Sequence, residues 1–162
     1  LLKRNTLQLT CKTPALCRRF AFLRPAKYAS LKRHSWSDSM ADITLQRVYD
    51  FHGPAQQHCY LTDRLWPRGI SKERLQGVVW LKEVAPKTEL RQWFHHHTDQ
   101  WDAFTARYRQ QLEVSEHWKG LLEIVQQGHS LTLLFGSKDV HHNQAVVLRE
   151  FLLEKLHKKL NA

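Results

Sequence analysis

Apolar and polar positions recur at two periods along this chain, and the switches between them predict its elements. Residues 43–49 mix β-branched and apolar side chains with polar ones at short period, and residues 50–54 break the run, which predicts a first strand. Residues 57–61 predict a second, since Pro67 forbids a helix running through. Residues 78–81, after Gly77, suit a strand or extended segment. Leu131, Thr132, Leu133, Leu134 and Phe135 form an almost wholly apolar run, the mark of a strand covered on both faces.

Elsewhere the period is helical. Ser71 can cap a short helix through Leu75, and Thr88 one that puts Leu90, Trp93 and Phe94 on a single face. Thr98 or Asp99 caps a longer helix in which Trp101, Phe104, Tyr108 and Leu112 recur at helical spacing, an aromatic stripe that reads as core rather than as a base-stacking platform. Trp118, Leu121, Leu122 and Val125 repeat the pattern, with Gly128 placed to end it. A final helix over 143–159 is apolar at Ala145, Val146, Val147, Leu148, Phe151, Leu152 and Leu156. Strands separated by helices predict an α/β fold: a single three-layer domain with a partly parallel sheet flanked by helices. Ligands of such sheets sit beyond the carboxyl ends of the strands.

Charge changes the picture less than its total suggests. The formal net charge is +10, but residues 1–39 carry nine Lys or Arg against one acid, Asp38, and the remainder sixteen basic against fourteen acidic side chains. The region from Met40 onward is therefore close to neutral, and nucleic acid is possible as a partner but not favoured. The basic leader has three readings: translation from upstream of a true start at Met40, an Arg-rich transit peptide, or a nucleic-acid-binding arm. The first is preferred, because pattern begins right after Met40, the sole methionine. No run is long and apolar enough to span a membrane. Past the leader only Cys59 remains, which suits a reducing cytoplasm, and its place in an apolar strand favours a buried inert thiol over a nucleophile.

Candidate chemistry lies in two loops. The first holds Asp63, Arg64, Leu65, Trp66, Pro67, Arg68 and Gly69: two guanidiniums that need anionic partners, in a turn fixed by proline and glycine. The second holds Gly136, Ser137, Lys138, Asp139, Val140, His141, His142 and Asn143 and opens into the last helix, whose N–H groups and dipole favour an anion. If the strands before them are parallel neighbours, the loops meet on one rim. Arg64, Arg68 and Lys138 would then hold charge, Trp66 would stack, Ser137 and Asn143 would line the ligand, and Asp63, Asp139 or His142 would handle protons. The competing reading makes both loops a fold-stabilising ion-pair lattice, with Asp139 as a cap. No cofactor is called for. His95, His96 and His97 are not expected to bind metal, since adjacent helical residues point about 100° apart and no zinc-type ligand spacing accompanies them.

The region from Ile43 to Leu156 resembles the YeaO-like branch of a bacterial domain-of-unknown-function family, number 488. The resemblance rests on Arg47-Val48-Tyr49-Asp50, on the run from Asp63 to Ile70, on Trp80-Leu81-Lys82-Glu83-Val84-Ala85-Pro86-Lys87-Thr88-Glu89-Leu90-Arg91, and on Leu131 to Phe135 with Lys138-Asp139, His142-Asn143 and Ala145-Val146-Val147-Leu148. It implies an α/β fold and no settled activity. Gly136-Ser137 stands where the family usually has Ser-Ala, and Gln144 where a histidine is expected. An enzyme acting on an anionic small molecule, such as a nucleotide or modified base, and a non-catalytic nucleic-acid-associated regulator are the functions to separate.

Overall fold

The computed structural model describes residues 42–55 and 57–161; the leader and the boundary expected at Met40 lie outside the described residues. Four strands form one sheet: β1 (Ile43–Arg47), β2 (Cys59–Leu61), β3 (Val79–Trp80) and β4 (Leu131–Phe135), in the order β1-β4-β2-β3. Every pairing is parallel. β4 is central, with Ile43 opposite Leu131 and Arg47 opposite Phe135 on one side, and Leu61 opposite Leu134 on the other. Four helices follow the strands that precede them: α1 (Thr88–His96), α2 (Trp101–Val114), α3 (Lys119–Gln126) and, after β4, α4 (Gln144–Leu160).

Why β4 is central follows from its composition. A strand with neighbours on both sides and layers above and below must be apolar at nearly every position, and Leu131, Leu133 and Leu134 have no exposed surface. Leu131, Leu133 and Phe135 face the larger core, with the helices: Tyr108 and Leu112 of α2, Leu121 and Val125 of α3, Leu148, Phe151 and Leu152 of α4. Leu134 faces a second, smaller core with Cys59, Leu61, Val48, Phe51, Ile70 and Leu75. That second face is roofed by irregular backbone around residues 48–55 and 66–78, so among the described residues the third layer carries no α-helix. Truncating a side chain such as Leu133 here costs about 2–5 kcal/mol, the usual range for a close-packed leucine.

Where elements differ from expectation, local bonds explain it. β1 stops at Arg47 because β4, its partner, ends at Phe135; Val48–Asp50 then winds into a 3-10 turn. No helix forms after Ser71. Its Oγ does accept the Arg74 N–H (3.3 Å), but residues 72–77 stay a series of turns that ends at Gly77, in the left-handed region (φ 85°). The cap of α1 is Lys87 rather than Thr88, held by its N–H bond to Gln111 Oε1 of α2 (3.0 Å). Gln100 rather than Thr98 or Asp99 precedes α2, because the chain first makes a turn from His97 to Gln100. Gly128 ends α3 with φ 83°, and Cys59 is buried, both as the pattern implies.

Candidate functional site

β2 and β4 are adjacent and parallel, so the loops that leave their carboxyl ends emerge on the same rim. Thr62 fixes the exit of β2: its N–H and its Oγ both donate to the Leu134 carbonyl, each at 3.0 Å. The loop behind it is tied down three more times. Trp80 Nε1 donates to the Asp63 carbonyl (2.8 Å), Trp66 Nε1 to the Ile70 carbonyl (2.8 Å), and Tyr49 Oη to the Arg68 carbonyl (3.2 Å).

The β4 loop is built on a different plan, around its own polar side chains. Asp139 Oδ1 accepts the N–H groups of His141 (2.8 Å) and His142 (2.9 Å), and its Oδ2 lies 2.9 Å from His142 Nδ1. The Asp139 N–H donates to Ser137 Oγ (3.2 Å). Asn143, buried, caps α4: its Oδ1 accepts from the N–H groups of Ala145 and Val146, and its Nδ2 donates to the Asp139 carbonyl (2.9 Å). The helix N-terminus expected to offer unpaired donors to an anion therefore has its Ala145 and Val146 donors already taken by an asparagine.

Between the loops lies a cleft of about 390 Å³. Asp63, Arg64, Leu65 and Pro67 line it from the first loop, and Gly136, Ser137, Asp139, His142, Asn143 and Gln144 from the second. α1 supplies a third wall, with Arg91, Phe94 and His95. Three residues expected at a ligand do not line it. Trp66 packs against the smaller core and meets Trp80 edge-on, with ring centres 5.4 Å apart. Arg68 and Lys138 are exposed and are not part of the cleft lining.

Asp63 is the unusual group. Gln144 Nε2 donates to its Oδ1 (2.6 Å), while its buried Oδ2 has no hydrogen-bond partner among the described residues. Burial pushes its pKa up from 3.8 to about 6; the Gly136 amide, Gln144 and the Arg91 charge pull the other way without offsetting the desolvation. The Gly136 amide faces the carboxylate but does not complete a hydrogen bond of regular geometry to Oδ2. Gly136 is needed here for space, since a Cβ would lie 2.9 Å from Oδ2. Two of the three positions at which the chain departs from the family resemblance, Gly136 and Gln144, thus abut Asp63. Asp139 is the opposite case: three hydrogen bonds around His141 and His142 hold it down at about 2.

Two guanidiniums line the cleft, Arg64 and Arg91. Arg64 donates to the Lys82 carbonyl (3.3 Å), and neither has a carboxylate within ion-pair distance among the described residues. Arg47, behind the rim, is committed: its Nε donates to the Ser137 carbonyl (3.1 Å) and its guanidinium lies over the Tyr49 ring. Arg91 was not visible as a site residue in the sequence. A signal existed in its spacing, because Arg91 and His95 sit four apart and share one stripe of α1, which turns out to face the cleft. Among the three histidines, His97 stacks on Trp93 and its Nδ1 lies 2.8 Å from the Trp93 carbonyl, while His95 faces the cleft.

Comparison with known proteins agrees with the motif pattern. Residues 42–162 match the family described as "Inactive DUF488-N3 subclade". The uncharacterised protein YeaO of Escherichia coli K12 is 39% identical over 114 residues, covering 68% of this chain and 96% of YeaO. The uncharacterised protein Rv3073c of Mycobacterium tuberculosis is 34% identical over 111 residues, covering 68% of this chain and 92% of its own. No solved structure matches.

Proposed function

This chain belongs to the DUF488 family, in the branch described as its inactive N3 subclade, and from that premise we propose that the cleft binds a small anionic molecule of the nucleotide, phosphate or modified-base class without turning it over. The observation that carries the reading is the pair Arg64 and Arg91 on the walls of one cleft, neither engaged by a carboxylate among the described residues. Guanidiniums so placed are the usual recognition groups for phosphate and carboxylate. Turnover is left out for two reasons. The Asp139 and His142 pair is bound into its own turn, and Asp63 faces an amide, Gln144, instead of a base. The family description as inactive points the same way.

No described helix is long and apolar enough to cross a membrane. We take the site of action to be the cytoplasm, on the ground that Cys59 is the sole cysteine after Met40.

A thermal-shift screen against nucleotides, sugar phosphates and nucleobases tests the reading. A ligand at about 100 times its Kd adds near 2.7 kcal/mol to stability, and the shift is expected to shrink in Arg91→Ala. A screen with no stabilising anion would end the proposal. Binding of oligonucleotides that weakens steeply with salt would hand the site to nucleic acid instead.

A further inference from the structure

Resting on that anion-binding reading, we infer that the cleft selects an anion that itself carries a hydrogen-bond donor, either an O–H on the oxyanion or an N–H beside it, because the Asp63 carboxylate shares the cleft with Arg64 and Arg91. A carboxylate has acceptor room for about four hydrogen bonds. Asp63 receives one regular bond, from Gln144, and its Oδ2 has no partner among the described residues. Arg64 and Arg91 ask for the complementary partner, since a guanidinium donates and cannot accept.

A fully deprotonated anion satisfies half of this wall. It pairs with the guanidiniums and is repelled by the carboxylate, which it also leaves short of donors. An anion with its own donor satisfies both halves. Gly136 is what lets the Asp63 carboxylate lie close against the second loop, because a Cβ there would press on Oδ2 at 2.9 Å. The pKa of Asp63, pushed up to about 6 by burial, is the expected mark of a carboxylate short of donors in the unliganded protein.

Two matched pairs of probes separate the two sources of the donor. Inorganic phosphate and sulfate are near-isosteres, but at pH 7 phosphate keeps at least one O–H and sulfate none. Taurine and ethanesulfonate share a sulfonate, and only taurine carries an ammonium group. Isothermal titration of the full chain with all four is expected to show at least a tenfold preference for the donor-bearing member of one pair. Which pair shows it names the source.

In Asp63→Asn, which removes the repelling charge, sulfate or ethanesulfonate should gain and the preference fall to within about threefold. In Arg91→Ala both members of the pair should weaken together. Equal affinities within both pairs, with Arg91 dependence retained, would overturn this inference and leave the anion site standing. If none of the four binds, the inference falls together with the reading it rests on.

Discussion

The two loops that frame the cleft each present an aspartate, and the two could hardly be treated more differently. Asp63 is largely buried and accepts one regular hydrogen bond. Asp139 is half exposed and accepts three. The first is pushed up to about 6 and the second held at about 2. The β2 loop is fastened through backbone carbonyls by Trp66, Trp80 and Tyr49, which leaves its carboxylate unspent. The β4 loop is fastened by its own side chains, so Asp139 and Asn143 are consumed in holding it. A satisfied carboxylate belongs to the scaffold, and an unsatisfied one is the acceptor that the proposed ligand would meet.

The sharpest way to break this contrast is Asp63→Asn. The folded pKa of about 6 lies above the ordinary 3.8, so the folded state holds the proton more tightly and wild-type stability falls as pH rises between those values. Above pH 6 the full penalty is present, about 3 kcal/mol by the conversion of roughly 1.4 kcal/mol per pKa unit. Urea unfolding at pH 8 should find the variant more stable by up to that amount, and the gain should vanish near pH 3.5. A variant less stable at pH 8 would mean the charge is well solvated.

Asn143→Ala probes the other loop and should cost about 2 kcal/mol, because it removes a buried cap that serves two N–H groups and one carbonyl. Unlike the first effect, this loss should be the same at pH 5 and pH 8. Gly136→Ala touches both loops at once. Its methyl group would displace the Asp63 carboxylate from Gln144, at a cost of about 1 kcal/mol for the lost hydrogen bond, and the Asp63 titration followed by NMR should move.

The smallest effect is expected from Asp139→Asn. With a folded pKa below the unfolded one, its stabilisation is present above about pH 4 and lost as pH falls towards 2. Acid unfolding curves of the variant should therefore be flatter over that window, with its small deficit in stability seen at pH 7 and gone near pH 2.

Much of this was legible in the amino acids, for identifiable reasons. Leu131 to Phe135 announced a doubly covered strand because no other environment tolerates so few polar positions. The meeting of the two loops followed from β2 and β4 being parallel neighbours. Arg91 was hidden because it reaches the cleft from a helix: its spacing puts it on one stripe with His95, but which stripe faces the rim is decided by packing against α2. Trp66 was equally opaque: a tryptophan in a charged loop can stack on a ligand or fold back, and its bond to Ile70 is a tertiary choice. The missing helix after Ser71 shows a good cap failing where only a handful of residues precede Gly77, since one turn does not repay nucleation.

The central position of β4 also dictates the order of events during synthesis. β1 pairs with it across 87 residues of intervening chain, and β2 and β3, once made, can pair only with each other. No hydrophobic sheet can close until the ribosome has delivered Phe135, nor be covered on its helical face until α4 follows. Nascent chains arrested before Leu131 should therefore be cut throughout by protease and held by chaperones, whereas chains released past Leu160 should gain resistance in a single step.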